Sequence, residues 1–328
     1  MTAGPTADGV GRGAGRDTGP GAANGAGRFA PSPSGDLHIG NIRSGLLAFV
    51  RARQTGRRFL WRIEDLDRVK PGAAESQLAV FAELGVTPDE EPLVQSSRLH
   101  RYAAAIDRLD KAGLVYECYC SRKDIAQAPS APHAPPGAYP GTCRHLGEGD
   151  REARRAELAE QGRQPALRLR TDNAAHSIHD ELLGEVTATV DDLVLRRGDG
   201  VFAYNLTVVV DDSASGVDEV LRGDDLASSA PRQAYLAGLL GAGPMGWLHV
   251  PLVLNSDGRR LAKRDGAVTY QQLCALGWTV ADVFAWMQQS LGFDDADENW
   301  TGIDDMVAHL DFGRLDAQPT VFVPPSGD

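Results

Sequence analysis

The run Arg28-Phe29-Ala30-Pro31-Ser32-Pro33-Ser34-Gly35-Asp36-Leu37-His38-Ile39-Gly40-Asn41 leaves little freedom in how the start of this chain folds. A short strand, Arg28–Ala30, leads into a Pro/Gly turn, because proline fixes φ and glycine frees it. Ile39, Ile42, Leu46 and Phe49 then recur at helical spacing until Gly56 stops them. A helix that opens on a histidine and a glycine offers free N–H groups and positive dipole density to an anion. Gly40 lets a nucleotide approach the backbone. Arg58 to Asp65 reads as a buried strand ending in acids, and helices near 72–84 and 97–112 close at Gly85 and Gly113. This alternation implies an α/β fold on a parallel sheet with right-handed crossovers. Ligands of such sheets sit beyond the carboxyl ends of the strands, where the first motif and Glu64 fall.

A second stretch, Arg260-Leu261-Ala262-Lys263-Arg264, follows a Ser256-Asp257-Gly258 turn and forms a basic loop able to reach phosphates. The pair, in this order, resembles the HIGH and KMSKS signatures with which class I aminoacyl-tRNA synthetases bind ATP. The match is His38-Ile39-Gly40-Asn41 and, more loosely, Arg260 to Arg264. Pro-Ser-Pro-Ser-Gly-Asp-Leu-His-Ile-Gly is specific enough to resemble the glutamate/glutamine branch. Asn41 stands where the motif has a second histidine, so it donates a hydrogen bond without charge. The resemblance covers roughly Arg28 to Phe293 and implies a Rossmann-like domain that binds ATP through His38, Gly40, Asn41 and Lys263.

Composition narrows the setting. In 328 residues, 42% apolar and 24% charged, no apolar run is long enough to span a bilayer. Residues 1–27 are Gly/Ala-rich without the apolar core of a signal peptide, so the expectation is a disordered tail on a cytoplasmic protein, read as a monomer. The net charge of -12 argues against a general nucleic-acid binder. Arg51, Arg53, Arg57 and Arg58, with Arg259, Arg260, Lys263 and Arg264, are the local basic groups, so RNA contact should be limited and salt-sensitive. The domain reading is 28–117 and 201–255 as two halves of the nucleotide-binding domain, split by an insertion at 118–200. A basic loop and helical region follows at 256–295, then a tail at 296–328 with no readable pattern.

Within the insertion, Cys118-x-Cys120 and Tyr139-x-x-x-Cys143 place three of four cysteines close together, which favours metal over disulfide in a chain with no secretory signal. Three thiolates suit Zn²⁺ and leave one of four positions, with Tyr139, His133 and His145 as candidates. On chemistry alone histidine is preferred, because a phenol must lose a proton of pKa near 10. The spacing resembles that of the glutamyl-queuosine tRNA(Asp) synthetase family, which implies Tyr139 and a structural site. Cys274, beside Leu273 and Leu276, reads as core.

That resemblance also implies the substrates: glutamate and ATP with Mg²⁺, then tRNA(Asp) carrying queuosine at the wobble position. Glutamate would be activated without tRNA. Its implied contacts are Arg28, Phe29, Ala30, Pro31, Ser32, Glu64, Tyr204 and Arg222, with Tyr204 placed in a segment, Val186 to Asp212, that reads as extended. Arginine's planar fork suits carboxylates, and the hypothesis is that Arg222 holds the side-chain carboxylate. The enzyme needs no nucleophile of its own. His38 and Lys263 are the catalytic candidates, acting by positioning and by offsetting phosphate charge. Only 65 residues follow Lys263, too few for an anticodon-reading domain. Two other readings stay open: a ligase with a different acceptor, and a non-catalytic zinc-stabilised RNA-binding module.

Overall fold

The computed structural model describes residues 25–127, 139–261, 268–294 and 299–324. The chain begins with β1 (Ala26–Phe29), α1 (Ile39–Gln54), β2 (Arg58–Ile63), α2 (Ala73–Glu83), β3 (Leu93–Val94) and α3 (Leu99–Lys111). There follow β4 (Val115–Cys118), α4 (Arg122–Gln127), α5 (Glu148–Glu160), β5 (Ala166–Leu169), β6 (Ala175–Asp180), β7 (Gly184–Thr189) and β8 (Val194–Arg196). Next come α6 (Tyr204–Ala214), β9 (Glu219–Gly223), α7 (Ala230–Leu239), β10 (Gly246–Val250) and β11 (Val253–Leu254). The last elements are α8 (Tyr270–Ala275), α9 (Val280–Ser290), α10 (Ile303–His309) and β12 (Thr320–Val321).

β1 pairs in parallel with β2, and β2 with β3. On its other side β1 meets the approach to β9 through a parallel bridge from Ala26 to Val217. β9 pairs in parallel with β10, and β10 with β6, whose hairpin partner β7 is antiparallel. Across the sheet the order is thus β3-β2-β1-β9-β10-β6-β7, and it reverses between β1 and β9. That reversal opens a crevice beyond the strand ends, where sheets of this kind take their ligands. α1 covers the sheet because Ile39, Ile42, Leu46, Leu47 and Val50 are fully buried against Phe59, Trp61 and Phe81. Each such aliphatic side chain contributes about 1.5–3 kcal/mol. The helix stops at Thr55, and Gly56 follows at φ 67°, a left-handed turn that glycine takes without strain.

Several expectations need correction. The first strand starts at Ala26, inside the expected tail, because Ala26 N–H donates to Gly216 O at 3.0 Å. The segment expected to be extended from Val186 to Asp212 holds β7 and β8, but Tyr204–Ala214 is helix α6. There the run Val208-Val209-Val210 is overruled by burial against α7 and α3. The strand expected from Val250 to Asn255 is interrupted at Pro251 into β10 and β11, since proline has no N–H for the ladder. Within 118–200, β5 joins β4 and β8 in a separate antiparallel sheet, whereas the β6–β7 hairpin extends the main sheet. Cys274 is exposed: on α8 it is Leu273 that faces the core.

The segment 299–324 also packs into the core. Trp300, Met306 and Phe322 are buried in the cluster that includes Ile39 and Leu46. β12 pairs in parallel with β11, Val253 with Thr320 and Leu254 with Val321. Among the described residues no helix is long and apolar enough to cross a membrane.

Candidate active site

His38 immediately precedes α1 and caps it: its backbone is extended, and its ring Nδ1 accepts from Asn41 N–H at 3.2 Å. A methyl group on Gly40 would come within 3.2 Å of the His38 ring and 3.3 Å of Val253, so this glycine lets α1 lie close against β11. The basic loop returns to the same corner. On its leading side Leu261 N–H donates to Val253 O at 3.3 Å, after a turn in which Asn255 Oδ1 accepts from Asp257 and Arg259 N–H. On its trailing side Thr269 bridges to His38, and Tyr270 N–H donates to Leu37 O at 3.2 Å. Ala262, Lys263 and Arg264 lie outside the described residues, but both flanks of the loop are anchored beside the first motif.

The residues expected to meet an amino acid converge at the reversal between β1 and β9. Arg28 lies on β1, Glu64 just past β2, Tyr204 at the start of α6 and Arg222 on β9. Phe29 turns the other way, its ring 5.2 Å from Trp61 and 5.1 Å from Phe81, so only its backbone borders the crevice. Pro31 O accepts from Glu64 N–H at 3.2 Å, which fixes the loop against the end of β2. Pro31 is buried, Ala30 half-buried, and Ser32 is exposed.

Arg28 Nε donates to Asp212 Oδ1 at 3.2 Å, and Arg62 closes on the same carboxylate. Arg62 also donates to Glu64 Oε1, from Nη2 at 3.1 Å and Nε at 3.3 Å. Burial pushes Asp212 up, but Arg28 and Arg62 more than offset it and leave the carboxyl below its ordinary value. Burial raises Glu64, and Arg62 does not fully reverse that. Arg62 and Asp212 were missed in the sequence. Arg62 lies two residues before Glu64, so the two leave the strand end on one face; Asp212 was hidden by the strand reading of α6.

Arg222 differs. It is 7% exposed and has no carboxylate within ion-pair distance among the described residues. Its donors meet His249 Nε2 at 3.0 Å, Gln233 Oε1 at 2.8 Å and Leu226 O at 3.1 Å, all neutral acceptors. Burial lowers its pKa; the largest compensation comes from Tyr204, and a smaller one from Asp212. Tyr204 itself is 40% exposed at the mouth of the crevice.

Among the described residues, five of the expected basic arginines are already ion-paired. Arg51 pairs with Glu219 at 3.1 Å and with Glu181, Arg53 with Asp89 at 2.7 Å, and Arg57 with Asp218 at 2.8 Å. Arg58 closes on Glu90, and Arg260 on Asp225.

Away from the crevice, Sγ of Cys118, Cys120 and Cys143 lie within 4.8 Å of one another. Tyr139 Oη is 3.3 Å from Cys118 Sγ and accepts from Cys143 N–H at 2.8 Å. His145 is exposed and outside this group, and His133 lies outside the described residues. Three thiols and a phenol in mutual reach fit a tetrahedral zinc ion. Hydrogen bonding from Cys118 lowers the Cys143 thiol to about 6, against burial, while Cys118 is raised. Arg168 stands over the Tyr139 ring at 3.7 Å, a cation facing groups that must be anionic to bind metal.

A sheet reversing at β1 and β9, with a capped helix start and two loop flanks above it, defines a Rossmann-like α/β protein of the nucleotide-binding kind. Residues 26–299 match the catalytic domain of the class I tRNA synthetases (E and Q). The "Glutamyl-Q tRNA(Asp) synthetase" of Nocardia farcinica is 55% identical over 297 residues, spanning 90% of this chain and 93% of that protein. The protein of the same name from Nitratidesulfovibrio vulgaris is 43% identical over 81% of this chain and 86% of its own. A glutamate tRNA ligase from Elizabethkingia meningosepticum, solved with its amino acid, has the same fold at TM-score 0.72 and 23% identity. This chain is covered over 90% of its length and spans 66% of that ligase. The chain belongs to the class I tRNA synthetase family of the E and Q type, and within it to the group of the glutamyl-Q tRNA(Asp) synthetases. It is a ligase of the aminoacyl-tRNA synthetase type.

Proposed function

We propose that this ligase activates glutamate with ATP, needing no tRNA for that step, and then transfers the glutamyl group to queuosine at the wobble position of tRNA(Asp). The names of its relatives support the acceptor. The observation that carries the amino acid is Arg222, a buried cation held only by neutral acceptors beside Tyr204. A buried charge without a partner is costly, and a carboxylate is the ligand that relieves it. Glu64, raised by burial, gains a partner in the substrate ammonium. Arg28, with the backbone of Phe29 to Ser32, borders the remaining carboxylate.

In the first step an α-carboxylate oxygen of glutamate attacks the α-phosphorus of ATP, and the bond to the bridging oxygen breaks to release pyrophosphate. The protein positions the reactants and offsets developing negative charge. His38, Gly40 and Asn41 at the start of α1 serve the triphosphate from one side and Lys263 from the other; Mg²⁺ accompanies ATP. Cys118, Cys120, Tyr139 and Cys143 would hold one Zn²⁺ with every position filled by protein, so the ion pins the 118–200 segment and takes no part in the reaction.

Glutamate-dependent ATP–pyrophosphate exchange without tRNA tests the first step, and none is expected with glutamine at the same concentration. Radiolabelled glutamate with bulk tRNA tests the second. Label that survives 3′-end deacylation and leaves with the wobble base supports it; label lost by ordinary deacylation refutes the acceptor.

A further inference from the structure

We propose that Gln233, His249 and Asp180 are positioning residues that keep Arg222 an unneutralised cation, and that this neutral shell sets the preference for a carboxylate over a carboxamide side chain. The inference rests on Arg222 being the carboxylate partner, as proposed above.

Hydrogen-bond direction fixes the tautomer of His249. Arg222 Nε donates to His249 Nε2 at 3.0 Å, so that ring nitrogen must be unprotonated. The proton then sits on Nδ1, which faces Asp180 Oδ2 at 2.6 Å. A carboxylate on one ring nitrogen sets the tautomer and orientation of the other. Asp180 and His249 are fully buried, and the same carboxylate accepts N–H from His249 at 3.0 Å, Leu182 at 3.1 Å and Leu183 at 2.9 Å. Its negative charge is therefore engaged one imidazole away from the guanidinium. Gln233 is oriented in the same way: its Nε2 donates to Asn205 Oδ1 at 3.0 Å, which turns Oε1 toward Arg222 Nη1.

Three of the five guanidinium N–H groups are thus fixed by acceptors that carry no charge, and two remain, one on each terminal nitrogen, beside the Tyr204 hydroxyl. Arg28 and Arg62 show the alternative, since both close on Asp212 and their field toward a ligand is largely cancelled. An arginine already facing a carboxylate distinguishes poorly between a second carboxylate and an amide. Arg222 keeps that distinction because, among the described residues, no carboxylate hydrogen-bonds or ion-pairs with it; Asp180 reaches it only through the His249 ring, and Asp212 acts from beyond contact.

Gln233→Glu is isosteric and sets a carboxylate on Arg222 Nη1. Exchange by the unaltered protein comes first: none with glutamate refutes the glutamate reading itself, whatever the variants do. Given that activity, Gln233→Glu is expected to raise KM for glutamate thirtyfold or more and leave KM for ATP within twofold. The kcat/KM preference for glutamate over glutamine should narrow at least tenfold. Asp180→Asn, which frees the tautomer, should raise KM for glutamate about tenfold with the same indifference to ATP. A glutamate KM within twofold of the unaltered protein in Gln233→Glu overturns the shell. A measurement that needs no variant is ¹⁵N-histidine NMR on the unaltered chain. One ring, identified by its hydrogen bond from an arginine Nε–H, should be protonated at Nδ1 and bare at Nε2; a proton on Nε2 of that ring overturns the inference.

Discussion

The crevice between β1 and β9 and the cysteine cluster after β4 are unbalanced in opposite senses. Around the crevice Arg28 and Arg62 are matched by Asp212 and Glu64, and Arg222 is left over as a cation. In the cluster three thiols and a phenol gather in one small volume, with Arg168 over the Tyr139 ring as their cationic neighbour. The matched charges already hold strand ends and α6 together before any ligand arrives. On the function proposed above, the unmatched group marks where a ligand belongs, an anion at Arg222 and a divalent cation at the thiols.

The sharpest way to break the contrast is to remove the leftover cation. Arg222→Ala should raise KM for glutamate a hundredfold or more, in line with about 3–5 kcal/mol for losing one partner of a buried charge pair. KM for ATP should stay within a few-fold, and an unchanged glutamate KM sinks the assignment. Lys263→Ala acts on the other substrate: loss of an aimed donor costs about 3–4 kcal/mol of transition-state stabilisation, so exchange should fall a hundredfold or more. Near-normal exchange in that variant removes Lys263 from the reaction.

The cluster is tested through its ion. Elemental analysis of the purified protein should find one zinc per chain, and Cys143→Ser should retain almost none. Tyr139→Phe keeps the ring under Arg168 but removes the oxygen, so zinc should be held about ten- to a hundredfold more weakly while glutamate-dependent exchange stays near normal. Full zinc affinity in Tyr139→Phe would falsify the tyrosine as fourth ligand and return the choice to histidine.

How far the sequence reached follows the same division. The first motif was legible because local chemistry dictates it: a Pro/Gly turn, a capping histidine and the apolar spacing of Ile39, Ile42 and Leu46 all favour one structure. Tyr139 was one of three candidates and could be preferred only through a resemblance; its Oη meets Cys118 Sγ, at the end of β4, across 21 residues of chain that no local pattern spans. Helix α6 was illegible because three consecutive valines favour a strand, and contacts with α3 and α7 decide otherwise. Arg62, Asp212 and His249 carry no motif of their own. Their roles come from partners 150 and 69 residues away along the chain, which no local pattern displays. The 299–324 segment looked patternless because its core residues Trp300, Met306 and Phe322 are spaced by turns as well as by a helix.

The smallest expected effect concerns the matched charges and depends on pH. Asp212 sits below its ordinary value because Arg28 and Arg62 outweigh burial, and Asp180 and Asp192 are likewise lowered against burial, by His249 and by Thr171 N–H respectively. A carboxyl depressed in the folded state contributes stability that is complete above its unfolded value of about 3.9 and is lost as pH falls through the folded one. Glu64 has the opposite sign: burial raises it, so ionising it without substrate costs stability, and that cost is relieved as pH falls through its folded value. The ligand-free protein should therefore melt at nearly constant temperature from pH 7 to 5, with Glu64 tilting the profile slightly toward the acid side, and then lose stability below about pH 4. Saturating glutamate supplies the ammonium that Glu64 lacks, so the tilt should flatten in its presence, as it should in Glu64→Gln without ligand. A tilt that persists in Glu64→Gln would assign it to another group and leave the crevice carboxylates balanced at every pH.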